Sequence, residues 1–177
     1  MAKSKGYGSE LKIYRQNLIQ RIINDQTICE LVLRRLITDM DDDTISTEML
    51  QHVFRFRKVP KVAEIQTTYI TMFIQGRKSS INDVYKRCKI YVYIFSHEDI
   101  IDVKISEVGA VGSESRKRLG YLRTDLIDER IEDLFNGYRD LGSMGVLKLV
   151  NADDLYIGDG YHGRQLEFET TDLNEGT

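Results

Sequence analysis

The sequence predicts an α+β fold in which a mainly antiparallel sheet carries helices on one face. Three observations predict it. Apolar residues recur at helical spacing near the start of the chain and again before Phe135. The segments between and after these helices are rich in β-branched and aromatic residues, and Asp159-Gly160 is typical of a hairpin turn. The order helix, helix, strand, strand, long loop, helix, strand, strand favours antiparallel pairing of successive strands.

The composition is ordinary for one globular domain. The chain has 177 residues, of which 41% are hydrophobic and 30% charged. We expect residues 1–26 to form an N-terminal helical extension, residues 27–170 a single α+β domain, and residues 171–177 a polar tail. No apolar stretch has the length of a membrane span, and the basic start lacks the apolar segment of a secretory signal, so we expect no membrane partner.

Charge and cysteine content narrow the classes of function. With 25 basic and 28 acidic residues the net charge is −3, which argues against a protein that coats nucleic acid. Such a chain could still line a passage through which DNA slides. Cys29 and Cys88 lie in different predicted elements, and we expect two buried, reduced thiols.

Residues 9 to about 38 predict two consecutive helices. Leu11, Tyr14, Leu18 and Ile22 fall on one helical face, and residues 24–26 interrupt the pattern. Thr27, three residues before Glu30, has the spacing of a capping box and opens the second helix.

An acidic segment at residues 38–44 follows these helices. It lacks the central glycine of an EF-hand loop, so we interpret it as a solvated linker whose last carboxylates favour the N-terminus of a following helix.

The middle of the chain predicts strands. Residues 53–57 suit a short edge strand or an extended arm, because Pro60 follows. Residues 67–75 and 88–95 predict a hairpin with a long loop. In the second strand both faces carry apolar bulk, with the aromatic set on one of them: Tyr91, Tyr93 and Phe95.

A long loop, a helix and two strands complete the prediction. Residues 103–117 are interpreted as a mobile loop, or as a loop that only a partner orders, with small residues at 108–115. An apolar stripe predicts a helix over residues 119–135, which Asn136-Gly137 terminates. Residues 146–157 predict one strand or two broken by a bulge, and residues 164–169 a last strand.

The sequence offers little chemistry, and we expect no enzyme, cofactor or metal site. It contains no phosphate-binding glycine loop, zinc-ligand spacing or nucleophile elbow. One alternative remains: Asp102-Val103-Lys104, with Asp83 or Glu64, fits the acid and acid-x-Lys pattern of a Mg²⁺-dependent nuclease. Acid-x-Lys is frequent in any charged sequence, so the pattern alone does not identify a nuclease.

The ten tyrosines allow three further interpretations. Aromatic residues near Lys86, Arg87 and Lys89 could stack on single-stranded nucleic acid. The acidic balance of the chain instead favours sheet packing or a protein–protein interface, where tyrosine is enriched.

Several segments resemble the neck and tail-completion proteins of long-tailed bacteriophages, most of all the tail terminator (tail-to-head joining) group. The resemblance covers roughly residues 27–174 in element order. It rests on DERIEDLFNG at 128–137, GVLKL at 145–149, YHGRQLEF at 161–168, and the segments 58–60, 65–70 and 90–97.

The resemblance implies a non-enzymatic ring, usually of six subunits, at the head–tail interface of the virion, assembled in the host cytoplasm. Its expected partners are further copies of the chain, the tail tube protein, a head-closure or connector protein, and genomic DNA that passes through the lumen without sequence-specific binding. The residues expected to make subunit or partner contacts are Tyr91, Tyr93, Phe95, Val108, Val111 and Glu114. Another neck component is the alternative: a connector adaptor would be mainly helical, and a head-closure protein would contain a small β-barrel.

Overall fold

The computed structural model describes residues 7–56, 66–78, 85–104, 107, 120, 122–139 and 145–171. The elements in chain order are α1 Tyr7–Ile23, α2 Gln26–Leu33, α3 Asp42–Met49, β1 Val53–Phe54, β2 Thr68–Lys78, β3 Tyr85–His97, a 3-10 turn Glu98–Ile100, α4 Arg123–Phe135, β4 Val146–Gly158 and β5 Tyr161–Thr171. No helix in these ranges is long and apolar enough to cross a membrane.

The strands form one sheet in the order β1-β2-β3-β5-β4. Every pairing is antiparallel except that of β1, which lies parallel to β2 at Ile70 and Thr71. The predicted hairpin is confirmed as β2–β3, and the predicted α+β class with a mainly antiparallel sheet is confirmed with it.

The helices cover one face of this sheet and form a single core with it. Every second strand residue contributes, because successive side chains in a strand point to opposite faces. The fully buried strand residues of the covered face include Ile70, Met72, Ile90, Val92, Ile94, Leu166 and Phe168. From the helices, Leu18 and Ile22 of α1 join the same cluster, and the Phe135 ring of α4 meets Phe168 edge-on with 5.5 Å between centroids. The N-terminal helix therefore contributes directly to the core of the domain.

The interruption between the first two helices is where the sequence predicts it, but its cap differs. Asp25, and not Thr27, is the N-cap of α2, and its carboxylate accepts a hydrogen bond from the Ile28 backbone N–H at 3.0 Å. Asp25 also pairs with Arg130 of α4 at 2.7 Å, a partner remote in sequence that helps to hold its carboxylate in place. The Glu30 side chain accepts a hydrogen bond from Gln26 instead of closing a capping box.

The acidic segment contains a helix that the predicted element order omits. Asp41 caps α3 through hydrogen bonds from the Thr44 backbone N–H and hydroxyl group. These bonds hold the pKa of the Asp41 carboxyl below its ordinary value. The interpretation of the last acids as helix-favouring is confirmed.

A buried arginine ties the first turn of α4 to three other segments. Arg123 has no exposed side-chain surface, and Nε donates to the Ile100 carbonyl at 2.9 Å while Nη1 donates to the Leu31 carbonyl at 2.5 Å. Nη2 donates to the Glu107 carboxylate at 2.5 Å. Burial favours the neutral carboxyl, but the bond to Arg123 and its charge outweigh burial, so the pKa of Glu107 lies below its ordinary value.

Two glycines of the β4–β5 hairpin have clear conformational roles. At the tip, Asp159 and Gly160 have φ values of 54° and 76°, which confirms the predicted turn with both central residues at positive φ. Gly163 of β5 is needed for a different reason: a Cβ there would lie 2.3 Å from the Ile94 carbonyl oxygen and 2.7 Å from the Phe95 ring. Only glycine allows that ring to lie over β5.

Candidate interaction surface

The sheet face opposite the helices carries a continuous set of aromatic rings, which we call the aromatic face. No described helix covers it. The strand register places Tyr69, Thr71 and Phe73 of β2 opposite Phe95, Tyr93 and Tyr91 of β3. Together with neighbouring rings from β1, β5 and the bend after β1, the aromatic face comprises Phe54, Phe56, Tyr69, Phe73, Tyr91, Tyr93, Phe95 and Tyr161.

The rings at the centre of the aromatic face lie flat on one another. Phe73 and Tyr91 stack with 4.6 Å between centroids and 8° between planes, and Phe73 and Tyr93 stack at 6.0 Å and 9°. Aromatic pairs of this kind add about 0.5–1.5 kcal/mol beyond the area that they bury. Because the neighbouring strands hold these rings in parallel planes, the face is a preformed surface with little side-chain entropy left to lose on binding.

The solvent exposure of the aromatic face increases from a buried end at Phe95 and Tyr161 to an exposed rim at Phe56. Phe95 is 5% exposed and lies over Gly163, while Tyr161 is 3% exposed and meets the Tyr69 ring at 6.2 Å. Burial raises the pKa of both Tyr69 and Tyr161, so these phenols stay neutral well above neutral pH. At the other end Phe56 is 61% exposed.

A groove runs from the aromatic face round the outer edge of β2. Its volume is about 810 Å³, and its described lining residues are Arg15, Arg55, Phe56, Phe73, Ile74, Gln75, Tyr91, Tyr93 and Gln165. No acidic side chain is among them. Arg15 Nε is shielded from solvent and has no hydrogen-bond partner in the described part of the chain. The groove therefore combines flat apolar rings with positive charge.

Charges at the β3–β5 side of the aromatic face are already paired. Lys89 Nζ lies 2.5 Å from Glu167 Oε1 across the strands. This hydrogen bond outweighs the effect of burial and raises the pKa of Lys89. Among the residues that the structure describes, the positive charge without an acidic partner is therefore at the β2 edge, and not in the middle of the sheet.

Three of the six predicted contact residues lie in the described part of the chain. Tyr91 and Tyr93 lie half-buried on the aromatic face, where an approaching surface can reach them. Phe95 is on the same face but buried, so it supports the neighbouring rings from within. Val108, Val111 and Glu114, and most of the predicted loop over 103–117, lie outside the described residues.

Sequence reasoning overlooked the part of this surface that comes from other elements. Phe73 has a signal in the sequence, since Tyr69, Thr71 and Phe73 alternate along β2 with the same period as the tyrosines of β3. Phe56 and Arg55 lie within the predicted short edge strand over residues 53–57 and directly follow the observed β1. Arg15 has no such signal, because only the packing of α1 beside β2 brings it to the groove.

Two residues of the nuclease alternative, Asp102 and Lys104, are described, and neither lies in one of the five strands of the sheet. Asp102 makes a single antiparallel bridge to Leu122, and both Asp102 and Lys104 are exposed. Asp83 and Glu64 lie outside the described residues. Within the described ranges, no group of His, Cys, Asp and Glu side chains is arranged to hold a metal ion.

Both cysteines are buried thiols, as predicted, and burial is the main reason why the pKa of each rises to about 12. A thiol with such a pKa is almost entirely protonated at neutral pH, and the thiolate is the reactive form. Neither Cys29 nor Cys88 therefore has the character of a nucleophile or a metal ligand.

Fold and surface together define an α+β protein that presents a rigid aromatic sheet face. The YomW family profile matches residues 25–170, and the chain belongs to this phage-derived family. No curated protein matches the chain. The matched range spans α2 to β5, and hence nearly all of the aromatic face, but it excludes α1 and its Arg15.

Proposed function

We propose that this protein is a structural component of a phage particle, a tail terminator that forms a ring of usually six subunits at the head–tail interface. Membership of a phage-derived family supports a role in phage biology. The resemblance of residues 128–137, 145–149 and 161–168 to tail terminators supports the particular role. In this proposal the chain is not an enzyme, and its work is to fit against copies of itself and against its neighbours in the neck.

The observation that carries the proposal is the aromatic face with its exposed rim. Soluble proteins rarely leave large contiguous apolar patches open, and those that exist are usually interaction sites. Tyrosine, phenylalanine and arginine are the side chains that protein–protein interfaces enrich and that supply most of their binding energy. Phe56, Tyr91 and Arg55 present this combination at the β2 edge.

The partners follow from the same reasoning. In the ring, a sheet face and the strand edges of one subunit contact the next subunit. The tail tube protein binds one end of the ring, and a head-closure or connector protein binds the other end. The chain has a net charge of −3, so a ring that encloses DNA gains little from counterion release and lets the genome pass without tight binding.

The sheet also favours a tail terminator over the other neck components. A connector adaptor would be dominated by helices and a head-closure protein by a small barrel, whereas the described strands form one open sheet backed by helices. An open sheet leaves strand edges available to neighbouring subunits, as the ring of a terminator requires.

Native mass spectrometry and negative-stain microscopy test the proposal. The purified chain is measured alone and after mixing with the tail tube protein of the same phage. We expect closed rings, alone or on the ends of tubes. The variant Tyr91→Ser should form no rings. The matched control Tyr138→Ser, which changes a tyrosine away from the aromatic face, should still form rings. A chain that stays a 20.5 kDa monomer under both conditions contradicts the proposal.

A further inference from the structure

We propose that successive subunits join by strand addition, with the central part of β4 from one copy docking along the open edge of β2 in the next. This inference rests on the proposed ring and names its subunit contact. The two edges lie at opposite ends of the sheet order β1-β2-β3-β5-β4. Contact between two different edges is heterologous, and repetition of a heterologous contact generates a ring when the rotation closes.

Among the described strands, both edges are unpaired over matching lengths. On the outer side of β2, β1 pairs only with Ile70 and Thr71, and no described strand pairs with Met72 onward. The β2–β3 register is regular up to Arg77, which leaves six residues, 72 to 77. On β4, register irregularities fall between Leu149 and Asn151 and after Tyr156, so its regular stretch is also six residues, 151 to 156. Six paired residues span roughly 20 Å.

The charges of the two edges are complementary. Arg15 and Arg55 line the groove at β2, which has no described acidic side chain. Asp153 and Asp154 stand at the centre of the β4 stretch, and Asp154 is 89% exposed even though Arg164 binds it at 2.6 Å. Asp153 accepts a hydrogen bond from Asn151 and is likewise exposed. Opposite charges across an interface fix its register and suppress wrong pairings.

Apolar side chains flank the acidic centre of β4 and fit the aromatic groove. Val150 is half exposed and Tyr156 is 68% exposed, which makes them unusual for an edge strand next to solvent. Phe56 is the most exposed ring beside the β2 edge. A docked β4 would cover these side chains while its backbone adds hydrogen bonds to β2, as in other cases of strand addition.

Disulfide trapping tests this contact, because the native thiols of Cys29 and Cys88 are buried with pKa values raised to about 12. Cysteine is introduced at Gln75 on β2 together with either Asn151 or Asp153 on β4. Within one copy these positions are three strand spacings apart, roughly 14 Å, which is beyond the reach of a disulfide. Only contact between copies can join them.

Oxidation of Gln75→Cys/Asn151→Cys or Gln75→Cys/Asp153→Cys should produce a ladder of dimers, trimers and larger species on a non-reducing gel. Each single-cysteine variant should stay monomeric on the same gel. A dimer from Gln75→Cys alone would show a two-fold contact and overturn the inference. Intact rings in native mass spectra without any disulfide ladder would overturn the strand contact but leave the proposed ring standing. Monomers in the native mass spectra and on the non-reducing gel would overturn both the strand contact and the ring.

Charge exchange provides a second readout. Arg55→Glu and Asp153→Lys should each weaken association about tenfold or more, because like charges then face each other. The double variant Arg55→Glu/Asp153→Lys restores opposite charges and should recover most of the rings. Failure of the double variant to recover them, when each single variant is folded by circular dichroism, contradicts the pairing of these two edges.

Discussion

Replacement of Arg123 by alanine should destabilise the protein more than any other single loss of charge in the described structure. The guanidinium is fully buried and donates to carbonyls of two segments and to the Glu107 carboxylate. The substitution leaves that carboxylate buried with only the more distant Arg34 nearby, whose Nε lies 3.6 Å from Glu107 Oε1. The substitution also removes the hydrogen bond from Arg123 to the Leu31 carbonyl, which joins α4 to α2.

The size of the effect follows from these contacts. Removal of one partner from a buried ion pair costs about 3–5 kcal/mol, because the other charge stays buried. For a domain of this size each kcal/mol lowers the melting temperature by roughly 2–4 °C, so the variant should melt roughly 6–20 °C below the parent chain. Urea denaturation followed by circular dichroism gives the free energy of unfolding. An equal m-value for the parent chain and Arg123→Ala shows that both expose a similar surface area on unfolding, so that their free energies can be compared.

Arg35→Ala is the matched control. Arg35 also pairs with a glutamate, Glu48, but both side chains are substantially exposed, and such surface pairs contribute about 0–1 kcal/mol. If Arg123→Ala costs no more than Arg35→Ala, the reasoning about the buried arginine is refuted.

The pH dependence of Arg123→Ala has a predicted sign. The folded pKa of Glu107 is depressed in the parent chain, so its contribution is complete above the unfolded value of about 4.3 and is lost as the pH falls through the folded value. In the variant, burial without Arg123 pushes the pKa of Glu107 upward, and protonation relieves a buried charge. The cost of the substitution should therefore shrink as the pH falls from about 7 to below 4, and a cost that grows with acid contradicts this assignment.

Three further outcomes are expected. Gly163→Ala should lower the melting temperature by several degrees or prevent folding, because its Cβ would collide with the neighbouring strand, and wild-type stability would contradict the close approach. Cys29 and Cys88 should resist a thiol reagent in the native chain and react when urea unfolds it, so rapid labelling of the folded protein would contradict their burial. Tyr91→Ser combined with Tyr93→Ser should abolish assembly while the chain stays folded by circular dichroism, at a cost of roughly 1.5–4.5 kcal/mol for the three stacked ring pairs that are lost, and intact rings would contradict their role.

Periodicity predicted the elements that bury one face. The alternation of Ile90, Val92 and Ile94 against the tyrosines of β3 is present in the sequence and places each residue on its observed face. The turn at Asp159-Gly160 and the helix end at Gly137, with φ of 82°, follow from local backbone preferences that glycine satisfies cheaply. Such local signals need no knowledge of distant residues.

Contacts between residues that are distant in the chain could not be predicted from the sequence. Asp25 is the cap of α2 partly because Arg130, 105 residues later, holds its carboxylate. The burial of Phe95 depends on Gly163 in the neighbouring strand. For the candidate surface, the tyrosines of β3 could be predicted from alternation, but the arrival of Arg15 from α1 at the β2 edge is a property of the folded chain.

The abundance of the chain in purified phage particles tests the central proposal most directly. Quantitative mass spectrometry of virions from the phage that encodes this sequence, with the tail tube protein as internal reference, measures how many copies each particle holds. We expect one closed ring, about six copies per particle, and gold-labelled antibody at the junction of head and tail. Absence of the chain from infectious particles, or its presence along the whole tail, would contradict it.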